Sequence, residues 1–163
     1  MFLLPKKAFV TKGVGVSEDR LMSFELALRD ASIEKYNLVS VSSIIPANCK
    51  IISKEDGIKL LKDGQIVFCV MSRNDSNKPN KSISASIGIA IPRDKKLHGY
   101  IAEFHCCDLN EKECGNYVEN LAISMLKTKI GNKPISKTFH VVKTAYTSKN
   151  LWTTVIAAVV FIL

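Results

Sequence analysis

The sequence predicts an α+β fold, a mainly antiparallel sheet system packed under helices. Three observations carry that prediction. About seven segments read as strands and only two as substantial helices. Several strands follow one another with no helix between them, which favours antiparallel connections over βαβ units. The 163-residue length suits one domain with a sizeable core, and no internal repeat or low-complexity run divides it.

The elements follow in chain order. Residues 2–11 read as a strand leading into "TKGVGVSED", where Gly13 and Gly15 suggest a flexible turn. A G-x-G without a third glycine assigns no phosphate site. Ser17 is the expected N-cap, with Glu18 and Asp19 in the first turn of a helix through "RLMSFELALRDAS". Leu21, Phe24 and Leu28 give that helix an apolar face. "YNLVSVSSIIP", residues 36–46, is strand-like and contains the adjacent pair Ser42 and Ser43. On a strand these hydroxyls would point to opposite faces, because the side-chain period is two. "SKEDGIKLLKDG" reads as a short helix capped by Ser53 and ended by Gly64. "QIVFCVMS" is a strand, and "RNDSNKPNK", 73–81, a polar loop.

"SISASIGIAIP" is the most patterned strand. Ile83, Ala85, Ile87, Ile89 and Ile91 occupy one face; Ser84, Ser86, Gly88 and Ala90 occupy the other. Side chains that small let a sheet, a helix or a ligand approach closely. "LHGYIAEFH" is a further strand. "EKECGNYVENLAISMLKTKIGN" is the best helix, with Cys114, Tyr117, Val118, Leu121, Ala122 and Met125 as its inward stripe. Lys127 and Lys129 suit its C-terminus and Gly131 the position beyond. Strands at about 136–148 and 151–162 complete the chain.

Several function classes are disfavoured. The net charge is +8, yet the lysines are scattered and no arginine-rich run interleaves with aromatics. That describes a solvated basic surface rather than a nucleic-acid face. The five cysteines at 49, 69, 106, 107 and 114 show no C-x-x-C spacing, so no metal site is assigned. Free thiols without a disulfide framework favour a reducing cytoplasm. The opening "MFLLPKKAFV" lacks the order of a signal peptide. The closing "LWTTVIAAVVFIL" has 13 residues, against about 20 for a membrane-spanning helix, and reads as a buried strand. No G-x-S-x-G accompanies the serines, and His98, His105 and His140 read as hydrogen-bonded structural residues.

Taken together, "YNLVSVSSIIP", "ISASIGIAIPRD" and "GYIAEFH" resemble the pyruvoyl-dependent arginine decarboxylases. The similarity runs from about "LLPKKAFVTKGVG" to the last strand, and three ordered motifs are more specific than any one alone. The resemblance implies a four-layer αββα sandwich assembled as trimers or dimers of trimers. It implies that the single domain cuts itself between Ser42 and Ser43, giving a 1–42 β chain and a 43–163 α chain. Ser43 would become a covalent pyruvoyl group, replacing pyridoxal phosphate and needing no metal. That ketone would form a Schiff base with L-arginine and accept the electrons released with CO2, yielding agmatine.

The resemblance also assigns roles. Glu103 in "IAEFH" takes the proton-donor position, and burial in its strand would raise its pKa. Asn37, six residues before Ser43, would help hold the peptide for cleavage. Glu25 stands where the family usually has aspartate facing the substrate guanidinium. Its charge permits a bidentate pair, but the extra methylene leaves substrate choice open. Two alternatives remain at this stage: a pyruvoyl decarboxylase for another amino acid, and a non-catalytic basic binding domain in which Ser42–Ser43 is only a strand end.

Overall fold

The computed structural model describes residues 3–163. Phe2, which the sequence reading places in the first strand, lies outside them. Strand β1 spans Lys7–Ser17, helix α1 Arg20–Asp30, β2 Asn37–Ser40, β3 Ile44–Ile45 and β4 Lys50–Ile51. Helix α2 spans Lys54–Ile58, β5 Ile66–Ser76, β6 Ser82–Pro92 and β7 Gly99–Cys107. Helix α3 spans Glu111–Ile130, β8 Ile135–Tyr146 and β9 Trp152–Ile162. One sheet has the order β2-β5-β9-β1-β4 and the other β3-β7-β6-β8. Among the described residues, only the β1–β4 and β2–β5 pairs are parallel.

Three apolar layers bind four layers of structure. Ala27 and Phe24 of α1 pack with Phe9, Ile156 and Val160 on the outer face of the first sheet. Ile87, Ile89 and Ile101 of the second sheet meet Val70, Ala157 and Val159 of the first. Val118, Ala122 and Leu126 of α3 cover Ala90 and Ala102 on the far side. The result is the αββα sandwich. Burial on both faces explains why β9 is nearly continuously apolar. The C-terminal stretch is thus a central strand, and among the described residues no helix is long and apolar enough to cross a membrane.

The small-residue face of β6 receives α3. A Cβ on Gly88 would stand 2.1 Å from the Val118 carbonyl oxygen, a backbone atom with no room to yield. Gly88→Ala is therefore expected to cost about 3 kcal/mol or more, measured as a shift in the urea midpoint.

Other elements differ from expectation. Gly13 and Gly15 do not turn the chain; both lie inside β1, paired with Ile156 and Thr154. Their role is close approach: a Cβ on Gly13 would fall 2.1 Å from the Ala27 carbonyl oxygen of α1. Asp19, not Ser17, caps α1 and accepts from the Met22 N–H at 2.8 Å. Leu21 points outward at 73% exposure, and Ser23 takes the buried position, hydrogen-bonded to Thr154. Tyr117 is likewise exposed on α3, whose Asn110–Glu113 capping box fixes its start. Ser53 does cap α2, but that helix stops at Ile58, well before Gly64. Residues 73–76 belong to β5 rather than a loop, since β9 supplies partners from Ile156 to Thr153. Arg73 and Asp75 carry their charges there as an ion pair at 3.1 Å, shared with Arg20 at 2.6 Å.

Candidate active site

The Ser42–Ser43 peptide lies where the chain leaves one sheet for the other. The Val41 N–H still donates to the Cys69 carbonyl of β5 at 3.0 Å. Two residues later, the Ser43 carbonyl accepts from the Ile101 N–H of β7 at 2.9 Å. Ser42 and Ser43 therefore lie outside any strand, contrary to the alternating-face expectation. Two different sheets claim the backbone on either side of them, so neither ladder includes the bond between them. The Ile44 N–H donates back to the Ser42 carbonyl at 2.9 Å, closing a three-residue turn centred on Ser43.

Ser43 is half-buried, and its hydroxyl donates to Glu103 Oε1 at 3.1 Å. The contact joins residues 60 apart in sequence. Glu103 stands opposite Ile87, two pairs along from Ile101 and Ile89, on the face turned toward the other sheet. The expected burial of Glu103 does not occur within one chain: its side chain is exposed. The reason is local. The neighbouring edge strand β3 is only two residues long, so this rim of the sandwich is left uncovered.

Cys69 lies behind this rim. Burial, and after it the nearby Glu103 carboxylate, push its thiol up to about 11. It therefore stays a protonated, weakly reactive thiol near neutral pH.

Asn37 and Glu25 are not brought to this pair. Asn37 heads β2, where its amide donates to the Gly64 carbonyl at 2.7 Å. It is separated from Ser43 by up to about 20 Å of extended chain. Glu25 sits on α1 and accepts from Arg29 Nε at 2.9 Å through Oε1, an i,i+4 ion pair. This partner was legible in the four-residue spacing. A concavity of about 340 Å³ beside α1 is lined by Phe24, Leu28, Asn37, Leu38, Ser40 and Met71. Glu25 borders an adjoining one that shares Phe24 and Leu28. A separate apolar hollow of about 320 Å³ adjoins Ser42 and Ile44. The backbone donors Ile44 and Ile101 escape a reading of side-chain types, because only tertiary pairing reveals them.

A family model described as pyruvoyl-dependent arginine decarboxylase matches residues 7–163. Among curated relatives, a pyruvoyl-dependent arginine decarboxylase of Methanocella arvoryzae is 53% identical, covering 99% of this chain and 98% of its own. Pyruvoyl-dependent arginine decarboxylase 1 of Methanosarcina acetivorans is 49% identical with the same coverage. Number 2 of that organism is 48% identical over 98% of both chains. Matches of that extent cover every element that builds the two sheets and the Ser43–Glu103 contact, and the chain belongs to the pyruvoyl-dependent arginine decarboxylase family.

Proposed function

We propose that this protein decarboxylates L-arginine to agmatine and CO2, using a pyruvoyl group made from Ser43 when the chain cuts itself after Ser42. The observation that carries the reading is the Ser43 hydroxyl bonded to Glu103 Oε1 at 3.1 Å, in a crossing segment that belongs to neither sheet. The residues present fit a pyruvoyl group. Position 43 supplies the carbon skeleton, the Ile101 N–H holds its carbonyl, and a carboxyl group lies within reach of its side chain. Held there, a pyruvoyl group would supply a ketone that can bind the substrate amine and accept the electron pair freed as CO2 leaves.

The chain's own residues do the rest. Glu103 delivers the proton that replaces the lost carboxylate. The rim of one chain leaves Glu103 exposed, and a second copy would cover it. Asn37 and Glu25 lie on the α1 side of the first sheet, away from Ser43 of the same chain. We assign them to the pocket of a neighbouring copy, where Asn37 steadies the peptide to be cut and Glu25 receives the guanidinium. Exposed Leu21, Val39, Val41 and Ile66 near α1 and β2 are apolar surface suited to such contact, in a trimer or a pair of trimers. The five free cysteines fit a reducing cytoplasm.

Substrate arginine shares Glu25 with Arg29. An exposed i,i+4 pair is worth only about 0.3–0.5 kcal/mol, so Arg29 does not bar the incoming guanidinium. Glu25→Gln is expected to lower kcat/KM for arginine about 10- to 100-fold, mostly through KM, with cleavage unchanged. Mass spectrometry of the purified assembly, with CO2 release from arginine, lysine, ornithine and histidine, tests the whole reading. An intact chain with serine at 43, or equal turnover of all four amino acids, defeats it.

A further inference from the structure

The scissile carbonyl carries its own catalytic donor. We propose that the Ile44 N–H is the oxyanion-stabilising group for self-cleavage, delivered by the turn that Ser43 itself centres. The inference rests on the reading of Ser42–Ser43 as the cleaved bond and adds the residue that activates it.

The geometry is specific. The Ser42 carbonyl oxygen accepts from the Ile44 N–H at 2.9 Å. Asn37, the side chain assigned to the peptide by family resemblance, is bound to Gly64 in its own chain. Ile44 is free to make this bond because β3 is an edge strand. The ladder to β7 uses the Ser43 carbonyl with the Ile101 N–H, which leaves the Ile44 N–H to point back along the chain. The turn thus binds the same carbonyl that the Ser43 hydroxyl must attack.

The chemistry needs such a donor. Ser43 Oγ bonds to the Ser42 carbonyl carbon through a five-membered ring, and the carbonyl electrons move onto its oxygen. The C–N bond to residue 43 then breaks, and the hydroxyl proton ends on the freed nitrogen. The product is an ester with a free amine. Loss of the residue 43 Cα proton expels the Ser42 carboxylate and leaves dehydroalanine. Water then releases ammonia and leaves the ketone. The first step places negative charge on the Ser42 carbonyl oxygen, where the Ile44 N–H lies already aligned. Charge returns to the Ser42 oxygens only when elimination releases the carboxylate, after the acyl shift is complete, and hydrolysis to the ketone does not involve them.

The test deletes the N–H and keeps the fold. One variant carries the α-hydroxy analogue of isoleucine at 44, which replaces the amide by an ester and retains the side chain. A second, Ile44→Pro, removes the same hydrogen at an edge position where no ladder bond is lost. Ile44→Val keeps the donor and serves as control. Appearance of the 1–42 fragment is followed by mass spectrometry, with circular dichroism for fold and hydroxylamine to reveal any accumulated ester. Both donor-deleted chains are expected to cut about 100-fold more slowly than wild type, with no 1–42 hydroxamate after hydroxylamine; the backbone ester installed between 43 and 44 gives only a 1–43 hydroxamate, told apart by mass. Ile44→Val is expected to cut normally. Wild-type rates in the folded α-hydroxy variant overturn the proposal, as does a slow variant that accumulates ester, since the defect then lies after the acyl shift. If wild type and Ile44→Val also stay intact, the cleavage reading itself is what fails.

Discussion

Ser43→Ala is expected to give one intact chain of 18.0 kDa and no CO2 from arginine. The variant loses a single oxygen, and two functions end with it. Without Oγ no atom of residue 43 can attack the Ser42 carbonyl, and a planar amide does not break unaided on this timescale. Without the ester there is no elimination, hence no ketone to bind the substrate amine. The fold should survive. Ser43 lies between strands, its side chain makes one polar contact at the uncovered rim, and its backbone bond to Ile101 is kept. Denaturing gel electrophoresis beside wild type decides the matter. Two bands from Ser43→Ala would remove this hydroxyl from the reaction, whereas one band from both chains would remove the cleavage.

Glu103→Gln separates making the cofactor from using it. Glutamine keeps an oxygen that can accept from the Ser43 hydroxyl, so the contact at 3.1 Å has a replacement and cleavage is expected to proceed. An amide does not donate a proton as a carboxylic acid does. Turnover is therefore expected to fall about 10²- to 10⁴-fold, the usual contribution of a general acid. The predicted signature is two fragments on the gel, a pyruvoyl-ended α chain in the mass spectrum, and slow CO2 release with KM little changed. Normal turnover would take the proton-donor role from Glu103. An uncut Glu103→Gln chain would instead make the carboxylate a participant in self-cleavage.

The residues that the family motifs single out do not all meet within one chain. Ser43 and Glu103 touch, joined by the β3–β7 pairing. Asn37 and Glu25 lie elsewhere, and the same physical cause explains both. Helix α1 packs on the outer face of the first sheet and β2 is that sheet's edge strand, while Ser43 has already crossed toward the second. Motif spacing counts residues along the chain and contains no information about which sheet a residue joins. Val39, Val41 and Ile66, on and beside β2, are exposed apolar side chains.

Taken alone, the sequence determined what short-range physics controls. Alternation over 82–92 placed β6 and its small face. An inward stripe at helical spacing and a terminal glycine placed α3, and a nearly continuous apolar run marked β9 as buried. These follow from side-chain period, capping and hydrophobicity within a few residues. Tertiary structure alone decided that Gly13 and Gly15 belong to a strand pressed against α1, and that residues 73–76 extend β5. It also set Glu103 at an open rim and turned the Ile44 N–H onto the Ser42 carbonyl. Each of these outcomes depends on a hydrogen-bond or packing partner contributed by another element or by a turn at a sheet crossing. Local propensity does not name that partner.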